Sequence, residues 1–229
     1  MLPRILVLAL IASAVLATST AVGAQNIPSP YRFIERSQEL GPVAGYISPD
    51  RGQFDLGPGP GPVLGGRYAI RVGGPFSIEG IASAVSTDRR VIDPDQPEGS
   101  RVIGRSDVLL ASVEARLRFS LVGDRTWNRL APHFSAGGGF VFDLEDEQAA
   151  DRNLLVDDRF EFGTSFLGSM GVGTMWIPWD RLLFRLDGEL RFWQLEIPTG
   201  FRTVDRFPDA PEDEWVSGFS VSAGLAYLF

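Results

Sequence analysis

The sequence predicts an all-β fold, an eight-stranded antiparallel up-and-down transmembrane β-barrel that follows a cleaved signal peptide. Three observations lead to this prediction. A short apolar segment stands at the N-terminus, eight later segments alternate large apolar residues with small or charged ones, and the links between these segments are alternately short and long. Period-2 alternation is typical of strands with two unlike faces, and alternating link lengths place every short turn at one end of an antiparallel barrel.

The first element is a targeting segment. Arg4 precedes the apolar run Ile5–Leu16, and small residues follow up to Ala24. This order is typical of a secretory signal peptide, and the apolar run is shorter than the ~20 residues that a spanning helix needs. We therefore predict a signal peptide over residues 1–24, a short periplasmic lead-in over residues 25–38, in which a helix or plug stays open, and a barrel domain over residues 39–229.

The eight alternating segments come next. In the last one, the odd positions from Trp215 to Phe229 are mostly large and apolar, and the even positions are mostly small. In the seventh, leucine and phenylalanine alternate with arginine and acidic residues. The predicted strands cover residues 40–48, 62–72, 76–87, 106–120, 130–143, 160–177, 182–196 and 215–229.

The links between the predicted strands differ in length. Residues 73–75, 121–129 and 178–181 are the short ones, and residues 49–61, 88–105, 144–159 and 197–214 are the long ones. A ten-residue strand tilted by about 40° rises roughly 25 Å, which is the height of the apolar band of an outer-membrane barrel. The short turns are therefore predicted on the periplasmic side and the long loops outside the cell.

Alternation by itself leaves open which face points outward. A soluble barrel of the lipocalin type would turn the leucine and phenylalanine face inward and the charged face to water. The polar face is instead built largely of glycine, serine and alanine with charges near mid-strand, which suits the narrow interior of an eight-stranded barrel. Aromatic residues at strand ends, namely Trp176, Trp215 and Tyr227, favour a membrane interface.

The charged residues of the polar face are predicted to fill the interior. Buried charges must be paired, and the guanidinium fork of arginine suits carboxylates. A paired interior makes a packed core rather than a pore. The predicted network consists of Arg67, Arg71, Glu79, Glu114, Arg116, Arg118, Arg185, Asp187, Glu189 and Arg191.

The composition excludes several function classes. A formal charge of −8 argues against nucleic acid as a partner, because phosphate binding needs a basic surface. The absence of cysteine excludes disulfides, thiol nucleophiles and cysteine-based metal sites, and one histidine leaves little material for a metal centre. We predict no cofactor and no metal.

The chain resembles the small outer-membrane β-barrel proteins of Gram-negative bacteria, of the OmpA transmembrane-domain and OmpX kind. The resemblance covers roughly residues 39–229 and includes the ending AGLAYLF. This ending is similar to the signal that the outer-membrane insertion machinery reads, carried here by Ala223, Leu225, Tyr227 and Phe229. The resemblance implies location in the outer membrane, contact with its lipid and lipopolysaccharide, and transit by periplasmic chaperones to that machinery. We expect a monomer.

One pair of residues has the chemical groups that a catalytic site would need. His133 and Ser135 share a strand face and resemble the His-x-Ser of outer-membrane lipid A deacylases, with Glu145 or Glu147 as the nearest acid. The asparagine that follows the serine in that family is Ala136 here, and His133 lies at the predicted periplasmic end. A polar interior residue is the stronger interpretation of His133, so we predict no enzyme.

The remaining candidates are the acidic loops over residues 143–159 and 197–214. Carboxylate clusters suit divalent cations that bridge to lipopolysaccharide phosphates, although a solvated surface is the commoner reason for such loops. The leading hypothesis is a non-enzymatic barrel with a structural or surface-interaction role through its long loops. A lipid A-modifying acyl hydrolase and a narrow solute pore are the alternatives.

Overall fold

The computed structural model describes residues 29–145, 150–203 and 207–229. The predicted signal peptide and the first residues of the lead-in lie outside the described residues, as do the candidate acid Glu147 and its neighbours 146, 148 and 149, and residues 204–206.

Eight long strands close into an antiparallel barrel, so the predicted fold class is confirmed. The ring order is β2, β3, β4, β5, β7, β8, β9 and β10, and β10 pairs back onto β2. Among the described residues, no helix has the length and apolarity required to cross a bilayer. The strands are β1 (Tyr31–Phe33), β2 (Gln38–Pro49), β3 (Gly61–Gly73), β4 (Phe76–Ile92), β5 (Val102–Ser120), β6 (Arg125–Trp127), β7 (Leu130–Asp143), β8 (Thr164–Trp179), β9 (Leu182–Glu196) and β10 (Asp213–Leu228).

The extracellular half of the wall is taller than predicted. The segment 88–105, expected to be a long loop, continues as strand up to Ile92 and resumes at Val102, and these two residues pair with each other. Only residues 93–101 form the link. Conversely, the predicted start of the sixth strand is wrong, because residues 160–163 belong to a loop that folds back into the barrel mouth.

The outer surface of the wall carries a continuous apolar band. Its side chains remain exposed although they are large and apolar, which water-soluble barrels avoid over so wide an area. We call this surface the membrane band. The barrel is a transmembrane one, and the lipocalin-like alternative is wrong. Representative members are Leu64, Tyr68, Ile78, Val113, Leu117, Phe134, Met170, Trp176, Leu186, Leu190, Phe219, Val221, Leu225 and Tyr227.

The interior has three levels. Near the periplasm lies a small apolar floor formed by Ala131, Met175, Leu183 and Leu228. Above it lies a layer of charged side chains. Above that, on the extracellular side, lies a large apolar cluster to which loop residues contribute, including Leu56, Phe160, Phe162, Ile197 and Phe201.

The described part of the lead-in, residues 29–38, forms neither a helix nor an internal plug but a strap across the periplasmic mouth, which we define as residues 31–37. Its first part, β1, pairs with β6, which lies between β5 and β7 on the far side of the ring from β2. The strap then crosses to β2, and on the way Arg36 donates through Nε to the carbonyl oxygen of Asp180 at 3.2 Å. The floor is therefore covered from the periplasmic side.

Candidate functional site

The charged layer is one connected set of ion pairs. Arg185 lies between Glu79 and Asp187, with nitrogen–oxygen distances of 2.5 and 2.7 Å. Arg118 contacts Glu79 at 2.9 Å. Positive and negative groups alternate along the set, so that every charge has an opposite neighbour. The order of contacts is Glu39, Arg118, Glu79, Arg185, Asp187, Arg67, Glu189, Arg116, Glu114 and Arg191.

This set differs from the predicted network at two positions. Arg71 is only half-buried and donates to the carbonyl oxygen of Ile34 at 2.6 Å, so it belongs to the periplasmic rim. Glu39, which lies just outside the predicted first strand, is an additional member and contacts Arg118 at 2.5 Å. The layer therefore holds five arginines and five carboxylates and is neutral, instead of the six and four expected.

Strands with small residues make room for these long side chains. The inward residues of β8 and β10 at this level are serine and glycine, and β9 supplies four charges. Gly173 lies beneath the bond between His133 and Asp187, and a Cβ there would collide with both side chains. The Cβ of any other residue at Gly137 would meet the Arg116 side chain at 2.8 Å. Glycine is needed at both positions for steric reasons.

The only histidine serves the charged layer. His133 is 2 % exposed, and its Nε2 is 2.9 Å from Oδ1 of Asp187. Ser135 points inward on the same strand face. Glu145 lies 12 positions after His133 in the chain, beyond the other end of β7. At about 3.3 Å per residue this separation is roughly 40 Å. The structure does not bring His133, Ser135 and Glu145 together.

The extracellular mouth is closed by folded loops. Arg89 donates to Asp151 at 2.7 Å, and Ser106 donates to the other carboxylate oxygen of Asp151 at 2.9 Å. These three side chains fasten the 150–163 loop to β4 and β5. Phe201 is fully buried and packs edge-on against Phe54. The described parts of the long loops therefore pack together into a cap.

The acidic loops contribute to a cleft of about 270 Å³ at this mouth. Its lining includes Asp107, Asp143, Glu145 and Glu161, besides Arg89 and Arg159. Asp143 lies above the membrane band, and burial raises the pKa of its carboxyl above the usual range. Within the described ranges, no group of three or more histidine, aspartate or glutamate side chains is arranged to hold a metal ion.

The C-terminal strand presents the predicted insertion signal to the outside. Ala223, Leu225, Tyr227 and Phe229 are all exposed on the outer face of β10. Phe229 exchanges two backbone hydrogen bonds with Gln38 at the start of β2. The last residue therefore takes part in closing the barrel at the periplasmic rim.

Comparison with known proteins gives structural likenesses only. No protein-family model matches the chain, and no curated protein matches it closely enough to count as a relative. Among solved structures, the chain is similar to Neisserial surface protein A (13% identity, TM-score 0.48, covering 88% of this chain and 98% of that one). It is also similar to the N-terminal β-barrel domain of Pseudomonas aeruginosa OprF (11%, 0.42, 85% and 98%) and to Ail of Yersinia pestis (16%, 0.36, 84% and 97%).

The outer-membrane assignment follows from the molecule itself. An apolar outer wall, an ionic interior and closure by hydrogen bonds that leave no free strand edge are the properties of an outer-membrane β-barrel.

Proposed function

We propose that this outer-membrane β-barrel is a non-enzymatic, non-conducting scaffold that holds a folded cap at the cell surface. The observation that carries the proposal is the filled interior. The apolar floor, the neutral ion-pair layer and the extracellular cluster follow one another along the barrel axis. A cavity between the charged layer and the extracellular cluster measures about 30 Å³, which is room for only two or three waters at about 10–15 Å³ each.

Permeation through such an interior would have to separate buried ion pairs. Removing one partner of a buried pair typically costs about 3–5 kcal/mol, and the layer contains several linked pairs. Both mouths are covered as well, by the strap on one side and by the loops on the other. These features support a structural role over a narrow solute pore.

The geometry also disfavours the acyl hydrolase. A serine nucleophile needs a base within hydrogen-bond reach and access to its substrate. The ring of His133 is engaged by Asp187, and Ser135 is 7 % exposed inside the wall rather than at the outer rim where lipid A lies.

The cap is the surface on which we place the interaction role. It is rich in carboxylates, and it exposes Leu155 and Val156, which are 67 % and 76 % exposed, on one loop. Acidic groups near the outer leaflet suit contact with lipopolysaccharide phosphates through bridging divalent cations. Lipid, lipopolysaccharide, the insertion machinery and periplasmic chaperones are the partners of this proposal, and the protein is proposed to act as a monomer.

Planar-bilayer recording tests the scaffold proposal directly. The refolded protein is expected to give no discrete current steps under conditions in which a general porin, used as the positive control, conducts. Reproducible single-channel steps would overturn the proposal. In parallel, lipid A extracted from cells producing the protein is expected to keep all its acyl chains by mass spectrometry. Loss of a chain that depends on Ser135 would establish the hydrolase instead.

A further inference from the structure

Three arginines at the extracellular end have carboxylate partners that three arginines at the periplasmic end lack. On the extracellular side, Arg89 pairs with Asp151 at 2.7 Å, and Arg90 pairs with Asp55 at 2.8 Å. Arg202 pairs with Glu212 in the same way. At the periplasmic end, Arg32, Arg36 and Arg129 have no carboxylate within 4.0 Å in the part of the chain that the structure describes.

These three periplasmic arginines line one pocket. It measures about 170 Å³ and lies between the strap and the turn from β8 to β9. The wall also includes Ile177, Trp179 and Leu228. A single water needs only about 10–15 Å³ of such space, so the pocket has room for a group larger than a few waters.

Two of the arginines are held in place by backbone carbonyl groups of the same turn. Arg36 donates to the carbonyl oxygen of Asp180 at 3.2 Å, and Arg129 donates to that of Pro178 at 2.9 Å. Each guanidinium has five N–H donors, so donors remain for a ligand. Glu35 and Asp180 are the acidic residues of the lining, against three arginines.

The backbone at Arg129 also adopts a left-handed conformation that arginine rarely takes. Asn128 and Arg129 are the two central residues of a tight hairpin between β6 and β7, with φ of 49° and 67°. The second of these positions normally favours glycine, because positive φ is strained for other residues. An arginine here places its side chain against the pocket at some conformational cost.

The pocket lies at the edge of the membrane band. Trp179 is 63 % exposed, and Trp176, one of the lipid-facing aromatics, precedes it on the same strand. Tryptophan favours the headgroup level of a bilayer. The strap continues the aromatic surface, since Tyr31 pairs with Trp127, and both side chains are exposed.

We propose that this pocket binds the phosphate of an anionic phospholipid headgroup in the periplasmic leaflet. The three unpaired guanidinium groups supply charge-assisted hydrogen bonds to the phosphate oxygens. The exposed Trp179 contacts the glycerol and upper acyl region. A lipid phosphate thereby serves as the anionic partner that these arginines lack within the protein. The same contact holds the strap to the membrane surface.

The test compares lipid retention by the full barrel domain. The refolded protein is placed in vesicles of equal phosphatidylglycerol and phosphatidylcholine, and the lipids that stay bound are counted by native mass spectrometry. Each arginine near an anionic surface contributes a factor of about five, so three give a preference of about 100-fold for the anionic lipid. The triple variant R32Q/R36Q/R129Q is expected to lose most of it.

The matched control removes three extracellular arginines, Arg90, Arg101 and Arg105, in the variant R90Q/R101Q/R105Q. It is expected to keep the preference. Equal loss in both triple variants, or no loss in the periplasmic one, would overturn the proposal. Heat-modifiable migration on gels reports whether each variant is folded. Should the periplasmic triple variant fail to fold, the single variant R32Q, which removes an exposed side chain, is expected to reduce the preference about fivefold.

A further arm separates lipid from free phosphate. Excess inorganic phosphate is added to the wild type, with sodium chloride at equal ionic strength as the reference. Phosphatidylglycerol retention is expected to be the same in both salts, because the free ion lacks the apolar contacts with Trp179. Displacement by phosphate alone would assign the pocket to a soluble anion and overturn the lipid proposal.

Discussion

The membrane band and the extracellular part of the wall are built by opposite rules, although the same strands run through both. Strand β5 shows the change most clearly. Within the band, Val113 and Leu117 face outward while Glu114 and Arg116 face inward. Above the band, Arg105 faces outward, with its side chain 74 % exposed, while Val108 and Leu110 are buried inside.

The medium around the wall, rather than the fold, decides which side chains fill the interior at each height. Where lipid surrounds the barrel, the outer face must be apolar, and the interior can hold polar groups provided that they pair. Where water surrounds it, the interior must bury apolar side chains to be stable, as in a soluble protein. The barrel thus follows the packing rules of a membrane protein within the membrane band and those of a water-soluble protein on the extracellular side of the band.

The strongest test of this contrast breaks one ion pair in each part. Glu79 is fully buried and contacts both Arg118 and Arg185, so Glu79→Gln leaves two guanidinium groups short of a charge. We expect it to lower the free energy of unfolding by about 3–5 kcal/mol. The measurement is urea unfolding of the vesicle-embedded protein. Asp55→Asn, at a pair whose carboxylate is 52 % exposed, is the control and should cost under about 1 kcal/mol. Similar losses in the two variants would contradict the contrast.

The second test weakens the extracellular cluster alone. Phe201 is fully buried against Phe54 and Phe207, so Phe201→Ala removes the centre of the cap. The expected loss is near the lower end of about 3–5 kcal/mol, because loops relax around the gap. Proteolysis of the extracellular loops should accelerate while heat-modifiable migration stays unchanged. Val156→Ala, at a side chain 76 % exposed, should leave both unchanged. Loss of the heat-modifiable form would mean that cap and band fold as one unit.

The third test places the same charge on the outer face at two heights. Val113→Arg introduces a guanidinium into the membrane band and should cost about 2–4 kcal/mol in urea unfolding from vesicles. Ser86→Arg introduces one on β4 opposite Leu109, above the band, and should cost no more than about 1 kcal/mol. If Ser86→Arg is as costly as Val113→Arg, the band extends higher than the exposure pattern indicates.

The smallest expected effect concerns the boundary between the two interiors. Ser83 and Ser112 bond to each other at 2.9 Å, between the charged layer and the apolar cluster. Replacing both by alanine removes donor and acceptor together, so the loss should stay within about 1 kcal/mol. Ser77→Ala removes a partner of Arg118, at 3.2 Å, inside the charged layer and should cost more. The reverse order in equilibrium unfolding would place the boundary at another level.

Much of the barrel could be predicted because the alternation of residue types along each strand identifies its two faces without reference to the rest of the chain. The fold class, the number of strands and the bounds of β7 and β9 follow from period-2 alternation. The upper ends of β4, β5 and β8 did not follow, because the pattern inverts where these strands leave the membrane. The crossing does leave a signal, a run with apolar residues on both faces, such as Val108-Leu109-Leu110 in β5 and Phe140-Val141-Phe142 in β7.

The members of the charged layer were harder to predict. Glu39 lies one residue outside the predicted first strand, and Arg71 follows the inward alternation but lies at the rim, where it bonds to the backbone of Ile34. Which charges pair depends on the order and stagger of the strands around the ring, and alternation along a single strand contains no such information.

The eight two-faced strands and the alternation of short and long links can be recognised in the sequence alone, because both patterns depend on residues close together in the chain. The neutrality of the interior, the packed extracellular cap and the strap over the periplasmic mouth arise only when the ring closes. Each of these joins residues far apart in the chain, as when Arg185 meets Glu79 across 106 positions. Closure of the ring brings such residues together, and the need to pair buried charge and cover apolar surface then determines which of them meet.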